Sequence, residues 1–118
     1  MVIIMLVSNY EELITMMQEN PVVVDDHTDE EMKLTGLVEF DVPNKGLACC
    51  FDARYYSLNL CYIGDDDSKL HCSQLSIAGV LWGAEPDSEQ LKRYNDDVVF
   101  GAKIKCIHRP DGTKVHPA

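Results

Sequence analysis

Between Leu47 and Ile63 the chain reads LACCFDARYYSLNLCYI, its longest apolar-rich segment, and the second half alternates with a period of two. Tyr56, Leu58, Leu60 and Tyr62 fall on one face, and Tyr55, Ser57, Asn59, Cys61 and Ile63 on the other. One face suits a core and the other is only partly polar, which predicts a central strand paired along both edges. The fold is therefore expected to be organised around a sheet.

The flanking segments supply its neighbours. Val2–Val7 reads as a buried strand or as a lead-in to a helix. Ser8 and Glu11 then match a capping box, and Tyr10, Leu13, Ile14 and Met17 form an apolar stripe at helical spacing, stopped by Asn20-Pro21. Pro21–Val24 predicts a short strand. Between Lys33 and Val42, Val38, Phe40 and Val42 share one face and Leu37, Glu39 and Asp41 the other. Pro43–Gly46 is turn chemistry, so Leu37–Val42 and Leu47–Phe51 are expected to pair as a hairpin.

After a turn at Gly64–Ser68, Leu70–Trp82 is β-leaning. Asp87 to Tyr94 predicts a short helix, with Asp87 at its N-cap and Gln90 at N3. Val98–Ile107 is the last long strand, with Phe100, Ala102, Ile104 and Cys106 inward and Lys103 and Lys105 outward. Pro110–Thr113 turns it into a brief return at Lys114–His116. This order predicts a single α+β domain over residues 1–118 with a mostly antiparallel sheet, either open or curled into a small barrel. An N-terminal amphipathic helix and a second short helix near 87–94 complete it.

Charge narrows the function classes. The 20 acidic and 10 basic side chains leave a net charge of −10. Residues 1–44 carry ten of the acidic groups against Lys33 alone, whereas residues 98–118 carry one acidic and four basic groups. Such an excess repels nucleic-acid phosphates and anionic membrane surfaces and attracts basic ones. The apolar start MVIIMLV has no preceding positive charge and is too short to span a bilayer, so neither a signal peptide nor a membrane span is expected. The five cysteines are odd in number, and Cys49 and Cys50 are adjacent, which predicts reduced thiols in a cytoplasmic protein.

The chain lacks the nucleotide-binding, nucleophile-elbow and H-E-x-x-H patterns. Pro86-Asp87 and Pro110-Asp111 lack the acid-x-Lys that a metal-dependent nuclease places on a neighbouring strand. Asp25–Glu31 resembles a calcium loop only superficially: counted from Asp25, the sixth position is Glu30 and the twelfth Gly36. Cys49, Cys50, Cys61, His71, Cys72, Cys106, His108 and His116 are metal-ligand types, and Cys106-x-His108 sets two of them on one strand face. Close C-x₂-C pairs are missing, so no metal or other cofactor is expected.

What remains is a protein-binding inhibitor or adaptor, not an enzyme, acting as a monomer or homodimer on a partner with a basic surface. Glu39 and Asp41, about 6.6 Å apart on one strand face, form an outward row of carboxylates. With Asp25, Asp26, Asp29, Glu30, Glu31 and the Asp65, Asp66, Asp67 loop, they are the expected contact residues. In composition alone this is similar to small acidic antagonists of phages, among them DNA mimics and anti-CRISPR proteins. A zinc- or thiol-dependent protein and a structural homo-oligomer subunit are the alternatives.

Overall fold

A computed structural model describes residues 10–41, 48–52, 57–63, 69–81, 87–97 and 103–118, with side chains described at 11–41, 63, 69–72, 87–97 and 103–118. Helix α1 spans Tyr10–Glu19, and strands β1 (Val22–Asp25), β2 (Glu31–Asp41), β3 (Ala48–Asp52), β4 (Ser57–Ile63) and β5 (Leu70–Leu81) follow. Helix α2 (Ser88–Asp97) then precedes β6 (Lys103–His108) and β7 (Lys114–Val115). The strands form one mixed sheet in the order β1-β5-β4-β3-β2-β6-β7. This is the expected α+β fold. β4 lies between β3 and β5, paired antiparallel to both, as its two-sided pattern requires. β2 and β3 pair antiparallel, as expected of the two hairpin strands, with Leu37 opposite Cys50 and Val38 opposite Cys49.

Two features depart from a plain antiparallel meander. β1 runs parallel to β5, with Val23 opposite Leu70, and also pairs antiparallel with the start of β2, where Val22 faces Lys33. The sheet thus curls until β1 meets the start of β2, while β6 and β7 continue from the far half of β2. β2 is correspondingly longer than the alternation after Lys33 implies, and Leu37, assigned to the outer face, is buried. The register slips between Leu34 and Leu37, so Gly36, Leu37 and Val38 are buried in succession. A slip of this kind breaks the period of two on which the face assignment rested.

The core joins α1 to the curled end of the sheet. Leu13 and Met17 are fully buried and pack with Val23, Met32, Leu34, Leu37, Leu70 and Cys72. Ile14 and Met16 flank them, as does Ile63, which strict alternation would set on the face opposite Leu60. At α2 the expected box is present: the Asp87 carboxylate accepts from Gln90 N–H at 2.9 Å, and Gln90 Oε1 accepts from Asp87 N–H at 3.1 Å. Leu91 is the buried anchor of this helix, which runs three residues past Tyr94. The Asn95 amide also bonds both backbone groups of Ile104, at 2.8 and 3.0 Å, and so fastens α2 to β6.

The turn after β6 has Gly112 at φ 88°, while Asp111 Oδ1 accepts from Thr113 N–H at 2.9 Å and from its hydroxyl at 2.6 Å. Among the described residues no helix is long and apolar enough to cross a membrane. The 2–7 lead-in, the Ser8 cap and the turns at 43–46, 64–68 and 82–86 lie outside the described residues, as do Tyr55, Tyr56, Phe100 and Ala102.

Candidate functional site

The strand pair β2–β6 brings together groups that are distant in sequence. Glu39 is the cross-strand partner of Cys106, yet the next matched pair is Phe40 with Ile104. Lys105 is therefore the extra residue of a bulge, and both Lys105 and Cys106 stand opposite Glu39. In a regular ladder two successive residues would point to opposite faces. The bulge lets the Lys105 ammonium reach Glu39 Oε2 at 3.1 Å while Cys106, next to it, is buried on the same carboxylate's side.

His108, two residues on, is also buried, and its Nε2 lies 2.9 Å from Glu39 Oε1 and 3.5 Å from Cys106 Sγ. The result is a half-buried carboxylate between an exposed cation and a buried imidazole, with a thiol alongside.

Burial pushes the Glu39 pKa up, but the hydrogen bonds and charges of His108 and Lys105 outweigh it, and the carboxyl is held below its ordinary range. The Cys106 thiol is pushed up, first by burial and then by the Glu39 charge. A nucleophilic cysteine needs the opposite shift, so as a free thiol Cys106 is poorly set up for covalent catalysis. As donors, however, the three side chains are of metal-ligating type, with their nearest ligand atoms all within 4.8 Å of one another.

The acidic residues expected to meet a partner separate into unlike groups. Asp25 is not a surface carboxylate: it is 1% exposed, and its Oδ1 accepts from the backbone of His27 at 2.8 Å and of Thr28 at 3.4 Å. It organises the β1–β2 turn, which Asp29 closes at φ 63° by donating its N–H to the Asp25 carbonyl at 2.7 Å. Asp26, Asp29, Glu30 and Glu31 are exposed around that turn. Asp26 pairs with His71 Nδ1 at 3.0 Å and Glu31 with Lys69 at 3.3 Å.

Glu39 is likewise no member of an outward row, since the β6 bulge draws it onto His108 and Lys105; Asp41 alone of that pair is exposed. Strand β2 separates Glu31 from Asp41 by about 30 Å of extended chain, so the turn and the far end of the strand are separate patches. Asp65, Asp66 and Asp67 lie outside the described residues.

Of the cysteines, Cys72 and Cys106 are free buried thiols. Cys61 and Cys72 are cross-strand partners. His116 is exposed at the end of β7. Sequence spacing exposed the Cys106-x-His108 pair but not Glu39, which joins it only through the β2–β6 register. Comparison with known proteins finds no family model, no curated protein and no solved structure that matches this chain.

Proposed function

We propose that this chain is a small acidic protein-binding module, an inhibitor or adaptor whose carboxylates engage a basic surface of a partner protein. The observation that carries this reading is the β1–β2 turn, where Asp26, Asp29, Glu30 and Glu31 are exposed in close succession on a backbone held by the buried Asp25. A turn fixed in advance loses little entropy on docking. A net charge of −10 adds long-range attraction toward a cationic partner.

The test replaces Asp26, Asp29, Glu30 and Glu31 together with amides and leaves Asp25 untouched. Single rim charges contribute only about 0.2–1 kcal/mol each, so they must be changed as a set. Partners captured at low salt by the wild-type chain should bind the fourfold variant more weakly, mainly through slower association. That difference should shrink between roughly 50 and 200 mM salt. A partner bound equally well by both chains, with no salt dependence, would remove this reading.

A further inference from the structure

We propose that Glu39, Cys106 and His108 form a binding site for a divalent transition ion, with zinc the best fit. The inference does not depend on the acidic-turn reading, because it concerns the opposite end of β2. A thiol, an imidazole and a carboxylate are the three donor types that zinc accepts from proteins, and the mixture excludes the hard, all-oxygen ions as first choice.

The spacing also fits. Cys106 Sγ and His108 Nε2 are 3.5 Å apart, against about 3.6 Å for sulfur and nitrogen on one tetrahedral zinc at ordinary bond lengths. His108 Nε2 and Glu39 Oε1 are 2.9 Å apart, a hydrogen-bond distance that must open to roughly 3.3 Å for an ion to replace the shared proton. That movement is within reach of side-chain rotation, because the two strands stay fixed by their backbone register.

Charge and surroundings agree with the geometry. Once the Cys106 thiol has given its proton to solvent, thiolate and carboxylate together balance a divalent ion. Lys105 contacts the other carboxylate oxygen, Oε2, at 3.1 Å, which leaves Oε1 for the ion and gives the ligand an outer hydrogen-bond partner. Cys106 and His108 are 3% and 7% exposed, so competing water is largely kept out, while the half-buried Glu39 side leaves an approach. Three protein donors leave a fourth position for water or an added ligand.

Cobalt and zinc titrations of the reduced, metal-free chain test this. One equivalent of Co²⁺ should give tetrahedral visible bands with a thiolate-to-cobalt band in the near ultraviolet, and Zn²⁺ should displace it. Cys106→Ser should abolish the charge-transfer band. Glu39→Gln should weaken zinc binding by at least about tenfold, the lower bound for losing even an outer partner of a ligand. His116→Gln, at an exposed position, should change neither.

A second readout needs no variant to fold. In the wild-type chain, one equivalent of Zn²⁺ should shift the His108 Nε2 and Cys106 Cβ resonances and leave His116 in place. Unmoved His108 and Cys106 signals, or zinc affinity within twofold of wild type in both Glu39→Gln and Cys106→Ser, would overturn the assignment.

Discussion

Asp29, Asp111 and Thr35 show how much a single position can be asked to do. Asp29 holds a left-handed backbone conformation, which aspartate tolerates and a β-branched side chain does not. Asp29→Gly should leave stability unchanged or slightly higher, whereas Asp29→Ile should lower it by about 1–2 kcal/mol in urea unfolding. At Asp111 the hydrogen bonds from the Thr113 side chain and backbone hold the carboxyl below its ordinary range. The help it gives the turn is therefore complete above the unfolded-state pKa and fades as pH falls through the depressed folded one. An NMR titration of Asp111 should place its midpoint below that of an unstructured aspartate, and Thr113→Ala should move it back up.

Thr35 Oγ1 is buried without a partner among the described residues, so Thr35→Val should be neutral or stabilising by about 1 kcal/mol in the same unfolding assay. Sequence chemistry reveals some of these positions and not others. The Asp87–Gln90 box and the Asp111–Gly112 turn are local patterns and were legible. Glu39 looked like a solvated carboxylate because its partners, His108 and Lys105, arrive from another strand. The bonds Asp25 accepts from His27 and Thr28 are local, and what the sequence hid was its burial.

Among the elements, β2 does the most, since β1 and β6 share its length on one side and β3 covers the other. Its existence was readable from alternation, and so was the central place of β4. Register was not, because the slips at Leu34/Leu37 and Glu39/Phe40 leave no mark in a hydrophobic pattern. The parallel β1–β5 pair was hidden for the same reason: it joins residues whose partnership depends on how the whole sheet curls. Helix α2 is secured by the buried Leu91 and by the Asn95 amide on Ile104. Asn95→Ala should strand two backbone groups and cost about 1–3 kcal/mol. A loss below about 0.5 kcal/mol in urea unfolding would mean water replaces the amide freely. In the core, Leu13→Ala should cost about 2–5 kcal/mol, as for other fully buried leucines.

On the scale of the whole molecule, the net charge opposes compaction, and exposed pairs such as Lys69–Glu31 and Lys92–Asp96 offset it only locally. Added salt should raise the melting temperature through screening, most steeply below about 0.15 M. A fall with salt would mean that attractive pairs dominate. The division of β2 between β1 and β6 has a further consequence for motion. Among the described residues α2 packs on β6, and β6 pairs with the far half of β2 on one edge and with β7 on the other. The segment from α2 through β7 can detach while the α1, β1 and β5 core stays shut, which makes it a separate unit of local opening. Amide hydrogen exchange should then show Ile104, Cys106 and Ile107 released together, at a lower opening free energy than Val23 or Met32. Because Glu39 and Cys106 lie on either side of that seam, bound zinc would act as a latch, slowing exchange in the detachable segment and leaving the core amides as they were.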